Sequence, residues 1–239
     1  MVLPSSFERP SFFKRAITLA NMDSESALWQ FYNLYMRPSA IHRMILTHRH
    51  TKGRWSRDDP AFFILEIASS IILSIFWYII PATSFSTITL FKSLFSFVVF
   101  DFGILGIVLS SIMWFSLNNW GKAPRTTHST DQDVEWRYCF DVFCNSFVAI
   151  LVDIDIGFVL VAILRYFSNG WLFRVFIPNT IVLAGIVHFV IIAVPCIMIL
   201  PFLTKFGVMP FIAPVFLVYI ITLVGSVDLW KMWMSFHFK

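Results

Sequence analysis

Five apolar runs, each bounded by polar, basic or Pro/Gly-rich residues, dominate the pattern of this chain. They cover about residues 60–80, 89–117, 141–164, 177–200 and 211–230. A helix needs roughly 20 mostly apolar residues to cross the hydrocarbon of a bilayer. Lipid offers the backbone no hydrogen-bond partners, so such runs predict helices. The predicted fold is an all-α, polytopic membrane helix bundle with about five transmembrane helices. The third run is the weakest, because it contains Asp153 and Asp155. In the fourth, Pro195 is positioned to kink the helix. About ten residues rich in Pro and Gly separate the fourth and fifth, so a re-entrant hairpin stands as the alternative to one full span.

Before the first span the periodicity changes. Asp23 or Ser24 is placed to cap a helix in which Leu28, Phe31 and Tyr35 share a face, with Trp29 and Tyr32 beside them. Pro38 ends that pattern, and Ser39 to Leu46 predicts a second short helix. Two placements fit: a helix lying in the membrane interface with its aromatic side among headgroups, or one packed on the mouth of the bundle. The chain therefore divides into residues 1–57, an N-terminal cytoplasmic region with an interfacial helix and a basic run, and residues 58–239, the transmembrane bundle.

Composition agrees with the pattern. Of 239 residues, 58% are hydrophobic and 13% charged, with 28 Phe and 9 Trp, and the mean hydropathy is +0.75. Soluble domains carry about twice that share of charge. Phe12 and Phe13 run directly into Lys14 and Arg15, which argues against a cleavable signal peptide. Cys139, Cys144 and Cys196 are too few and too scattered for a disulfide framework, and no Cys/His pair suggests zinc. The distribution of Lys and Arg adds an orientation: thirteen of the 18 fall in residues 1–57, between spans two and three, or after span four. The positive-inside rule then places the N-terminus in the cytoplasm and the C-terminal tail on the opposite side.

Few groups invite chemistry. The run His48 to Arg57 is basic and contains Trp55; it suits an ordinary positive-inside flank, anionic lipid headgroups or RNA. Arg57-Asp58-Asp59-Pro60 pairs two carboxylates, but carboxylates followed by Pro are also what a helix start prefers. Inside the spans lie Glu66, Asp101, Asp141, Asp153, Asp155 and His188, residues of the kind that mark transport pathways. Asp153 and Asp155 point about 200° apart on a regular helix, so they do not share one cavity there. A transporter or channel would gather Glu66, Asp101, Asp141 and His188 around one midplane cavity. An enzyme would gather Asp58, Asp59, Asp133, Glu135 and Asp141 at one interface. No nucleotide loop, nucleophile elbow or zinc-protease helix is present.

Several ordered blocks resemble the uncoordinated-fifty family of Golgi membrane proteins. They are Met22-Asp23 with Ala27 to Gln30, Thr51-Lys52 with Trp55, Arg57 to Phe62, and Met113-Trp114-Phe115. The most distinctive is Asp133-Val134-Glu135-Trp136 with Tyr138, Phe140-Asp141-Val142 and Asn145. Asn179-Thr180, Pro201-Phe202-Leu203 and Pro210 to Pro214 continue the match, which covers about residues 20–230. Phe143 departs from the pattern, where His is usual, as does Ala149, where Pro is usual; Asp153 and Asp155 are more acidic than is common. The resemblance implies a non-enzymatic, cofactor-free Golgi protein that assists vesicular trafficking and surface delivery of receptors. It further implies Arf exchange factors and receptor cargo as partners, RNA binding as ascribed to an animal member, and the inner nuclear membrane or endoplasmic reticulum as other locations. The candidate interaction or structural residues are Trp29, Trp55, Arg57, Asp58, Asp59, Pro60, Asp133, Glu135, Trp136, Asp141 and Asn145. The alternative reading is a proton-coupled transporter or channel built on the intramembrane acids and His188.

Overall fold

The computed structural model describes residues 24–53, 55–57, 59–79, 86–123, 132–168, 170–204 and 209–238. Met22, Asp23 and Asp58, named above, lie outside the described residues, as does Arg54 of the basic run. The elements in chain order are α1 (Ser24–Met36), α2 (Ala40–Lys52), α3 (Ala61–Ile79), α4 (Thr87–Asn119), α5 (Trp136–Phe167), α6 (Leu172–Met198), α7 (Met209–Val224) and α8 (Leu229–Phe238). Apart from one isolated antiparallel bridge between Lys122 and Leu203, the described regular structure is helical. This is the all-α polytopic bundle that the apolar runs predict.

Among the described residues, α3, α4, α5 and α6 are each long and apolar enough to cross a membrane. The last apolar run divides: residues Ile212–Val224 and Leu229–Phe238 are bent by 94° at the intervening turn. Four helices therefore qualify as spans, or five when the bent pair counts as one. The turn includes Ser226 at φ 51°, a left-handed backbone that lets the chain turn sharply within a few residues. After it, α8 folds back against α4 and α6.

The centre of the bundle is α5. Every residue from Val142 to Ala149 is buried, which one apolar face cannot explain. It follows from α5 being enclosed by α1, α3, α4 and α6. Close approach is set partly by glycine: a Cβ at Gly106 on α4 would stand 2.7 Å from the Phe143 ring. Large apolar side chains such as Ile72, Ile107, Ile163 and Leu217 remain exposed on the outer helices, as lipid-facing surfaces require.

Local sequence explains the helix ends. Gly53 takes a left-handed φ of 70° and donates its N–H to the carbonyl of Arg49, a glycine terminator for α2. The Asp59 carboxylate accepts the Ala61 N–H at 3.0 Å, and the Pro60 carbonyl accepts the first helical bond from Ile64. Asp59 thus performs the capping that its position suggested, while Pro60 stands one place before the first helical residue. Within α4 and α5 the winding widens to π-helix over Ser96–Ile104 and Ile150–Ile156. These two stretches hold Asp101, Asp153 and Asp155, and π-turns inside α-helices often mark positions where ordinary packing has been set aside for polar groups.

Candidate functional site

The residues between α2 and α3 are tied to the first half of α5 by a polar cluster. The main-chain N–H of Arg57 donates to Asp141 Oδ2 at 2.6 Å, and the Arg57 guanidinium donates to Asn145 Oδ1. Arg137 returns the contact by donating to the Arg57 carbonyl, and buried Ser56 donates to Glu135 at 3.3 Å. The Arg57 guanidinium also lies over the Phe62 ring, 4.2 Å from its centroid. Asn145 is 3% exposed and passes the connection to α6 through Cys196 Sγ at 3.9 Å. Tyr138 reinforces it, its hydroxyl donating to the Cys196 carbonyl at 2.5 Å. Glu66, fully buried one turn inside α3, lies against Cys144 in the same cluster.

The remaining signature residues surround this cluster. Trp55 packs edge-on to Tyr138 and carries the Arg49 guanidinium on its face at 5.0 Å. Trp136 stacks on Phe140 and donates its indole N–H to Ser111 at 3.1 Å, holding α5 to α4. Asp133 pairs with Lys122, and the Asn118 amide clamps both main-chain groups of Val134 at 2.9 and 3.1 Å. Trp29, by contrast, is 57% exposed on α1, in a stripe with Leu28, Tyr32 and Met36. The opposite face of α1 buries Ala27 and Leu34 against the bundle, which is the packed placement of the two that the sequence allowed.

A second polar group sits halfway through the bundle. Asp153 is the eighteenth residue of the span Trp136–Phe167 (153 − 136 + 1), and His188 the seventeenth of Leu172–Met198 (188 − 172 + 1). Asp153 accepts the Tyr35 hydroxyl at 2.7 Å on one oxygen and faces His188 Nδ1 at 2.7 Å with the other. The hydrogen bond to Asp153 pushes the Tyr35 phenol up to about 12. Asp155 points elsewhere, as the two-residue spacing requires; it is buried, and its carbonyl accepts the Trp77 indole N–H at 3.0 Å.

At the far end His237 of α8 faces Asp101 at 2.6 Å, and Asp228 binds Arg165 at 2.5 Å while capping α8 through the Lys231 N–H. The sequence marks Tyr35 only as part of an aromatic face, and Arg165, Asp228 and His237 not as site residues. Their partners lie between 63 and 136 residues away, and no local spacing announces such pairs.

These positions bear on the transporter and enzyme readings. Glu66 and Asp141 belong to the first group, His188 to the second and Asp101 to the third, so the four side chains a transporter would gather are distributed over three separate sites. Of the carboxylates an enzyme would assemble, the described ones carry structural bonds: Asp59 caps its helix, Asp133 pairs with Lys122, and Asp141 and Glu135 meet in the first cluster, bound to Arg57 and Ser56. No group of three or more His, Cys, Asp or Glu able to hold a metal occurs among the described residues. Phe143, the departure from the resembled pattern, is fully buried among the rings of Phe102, Phe140, Phe147 and Phe189, where an aromatic ring is at home.

The fold and the site define a multi-pass helical membrane protein whose polar residues tie its helices together. The UNC-50 family profile matches residues 12–238. A Dictyostelium discoideum protein named unc-50 homolog is 32% identical over 96% of this chain and 87% of its own length. The Saccharomyces cerevisiae protein GMH1 is 34% identical over 90% of this chain and 80% of its own. A human unc-50 homolog is 32% identical, with 89% and 80% covered. No solved structure matches the chain. This protein belongs to the UNC-50 family.

Proposed function

We propose that this protein is a non-enzymatic trafficking factor of the Golgi membrane that assists vesicular transport and surface delivery of membrane receptors. The family match over residues 12–238 carries this reading. The bonds of Asp141 to Arg57 and of Glu135 to Ser56 support it, because a scaffold needs a fixed surface rather than free acids. In this reading the N-terminus is cytoplasmic, as the excess of Lys and Arg at that end suggests. Residues 1–57 and the segment from Asn118 to Phe140 then share one cytoplasmic face, and Arf exchange-factor machinery is the partner that docks there.

Aromatic anchors with large accessible faces dominate interface energetics. Trp29 and Trp136 offer such faces, at 57% and 39% exposure; Trp55 is committed to Tyr138 and Arg49. Affinity capture from mild detergent, with identification of the captured proteins, tests the proposal. Trp29→Ala and Trp136→Ala, shown to fold and to reach the Golgi, are expected to weaken capture of exchange factors and slow receptor delivery. Undiminished capture after replacement of both segments by neutral linkers would show that partners bind elsewhere. A glycan acceptor appended well beyond Lys239 should be modified if the C-terminus is lumenal; an unmodified acceptor contradicts the orientation.

A further inference from the structure

Helix α8 is held at both ends by a polar pair: Asp228 binds Arg165 where it starts, and His237 meets Asp101 where it finishes. Between them Trp233 packs on Trp77, Phe97 and Phe158, all buried. The His237 side chain is itself 2% exposed, with the rings of Trp233 and Phe97 at 4.5 and 4.6 Å from its own. Its two nitrogens are therefore left to two protein acceptors. Nδ1 lies 2.9 Å from the Trp233 carbonyl oxygen, and Nε2 lies 2.6 Å from Asp101 Oδ2.

A carbonyl oxygen only accepts, so Nδ1 carries a hydrogen. A neutral imidazole of that tautomer presents a lone pair at Nε2, and an ionised carboxylate presents lone pairs at Oδ2. The two atoms make a hydrogen bond only if a proton lies between them, on one or the other. Imidazolium with carboxylate and imidazole with carboxylic acid both meet that need. Each holds one proton more than a neutral ring and an ionised acid set apart. Asp153 and His188 differ. There Nδ1 of a neutral His188 and the Tyr35 hydroxyl both donate, and an ionised Asp153 is satisfied with no added proton.

We propose that Asp101 and His237 form a proton-binding site that latches α8 onto the bundle, docked while the shared proton is held and released when it is lost. Other titratable groups on the elements around α8 are placed elsewhere. Lys92 of α4 is exposed; on α6, Arg174 lies by Asp228 and His188 is bound to Asp153; Glu66 of α3 lies against Cys144. Buried Asp155 of α5 is within electrostatic reach of Asp101, and a second acid adds to the cost of a bare carboxylate there. An exposed imidazole titrates at about pH 6.5. Below that pH the released helix already carries the proton, and docking is complete. Above it docking has to capture a proton, so the docking equilibrium falls about tenfold per pH unit. Ordinary carboxylates and guanidiniums do not titrate in that range, so the pair of Asp228 and Arg165 adds no slope. Release uncovers the rings of Trp77, Phe97 and Phe158.

Hydrogen exchange of the full chain in lipid nanodiscs, each rate divided by the intrinsic rate at that pH, tests this. Protection of the α8 amides around Trp233 should be level below about pH 6.5 and fall about tenfold per unit above it. Protection of Val142 to Ala149 on α5 should stay level throughout. Asp101→Asn offers Nε2 an amide that either donates or accepts, so α8 should stay docked and lose the slope. A wild-type slope no different from that of α5, or an unchanged slope in Asp101→Asn, overturns the proposal. Isotope-edited NMR of the wild-type imidazole decides should the variant not fold. At about pH 6.5 Nδ1 should carry hydrogen and a proton should be shared between Nε2 and Asp101; a bare Nδ1 overturns the proposal.

Discussion

The main-chain N–H of Arg57 donates to the Asp141 carboxylate across 2.6 Å, joining residues 84 positions apart. It is a backbone contact, so the chain path into α3, rather than the arginine side chain, is what Asp141 fixes. The guanidinium is left to continue the network into Asn145 and over Phe62. Entry of the chain into the first span and the start of the central helix are thereby built as one unit.

Loss of the Asp141 carboxylate should therefore loosen the junction between α2, α3 and α5. A hydrogen bond to a charged group contributes about 1.5–3 kcal/mol, and the partner left behind adds its own desolvation. Asp141→Ala is expected to cost about 3 kcal/mol, and Asp141→Asn, which keeps an acceptor, about 1 kcal/mol. Thermal unfolding in detergent measures both. Equal effects would show that the hydrogen bond to Arg57 is not what matters.

Gly185 on α6 sits where a Cβ would come within 2.6 Å of Ile154 Cγ1 and 3.4 Å of Asp153 Cβ. Gly185→Ala should push α6 away from the π-helical stretch of α5 and strain the contact between His188 and Asp153. Overpacking of this kind costs about 1–3 kcal/mol. Ile154→Ala made in the same chain should recover part of the loss, a coupling that a double-mutant cycle reads directly. Purely additive effects would place the clash elsewhere.

Asp228 binds Arg165, with side-chain exposures of 13% and 11%, and caps α8. Arg165 is further held over the Trp230 ring at 4.3 Å. Breaking one partner of a largely buried pair costs about 3–5 kcal/mol. Asp228→Ala should fall in that range and release α8, seen as faster hydrogen exchange from Leu229 to Phe238. Unchanged exchange in α8 would show that the apolar packing of Trp233 suffices to hold it.

Tyr35 supplies a pH dependence. Its phenol is raised from 10.0 to about 12, first by its hydrogen bond to Asp153 and then by burial. Below pH 10 the phenol is protonated whether the chain is folded or not, and its contribution is complete. Between pH 10 and 12 the unfolded chain ionises first, so that contribution is lost as the pH rises. The melting temperature of the wild type should fall more steeply across this window than that of Tyr35→Phe. Parallel slopes would mean that the phenol does not stay bound to Asp153.

Much of the site was legible one residue at a time. Asp59 as a cap and the opposed directions of Asp153 and Asp155 follow from local rules; the meeting of Arg57 with Asp141 and Asn145, 84 and 88 residues away, does not. Tyr35 was read only as part of an aromatic face, and His237 not at all. Each acquires its role from an acid on a helix more than a hundred residues away, and periodicity carries no information about such pairs.

That the chain is a helical membrane bundle is legible in its sequence, because apolar length and the backbone's need for internal hydrogen bonds leave lipid-embedded runs this form. The basic end, the helix boundaries at Pro38 and Pro60, and the family are legible there too, whereas the terminator at Gly53 is not. Tertiary packing alone makes α5 the enclosed centre, brings Asp153 to Tyr35 and His188 and Asp101 to His237, and lays α8 against α4 and α6. The reason is physical. Lipid is as apolar as the helices it surrounds, so hydrophobicity sets which segments are in the membrane but not which faces meet. Those meetings are chosen by shape and by polar pairs distant in sequence, such as Gly185 against Ile154 and Asp153 between Tyr35 and His188.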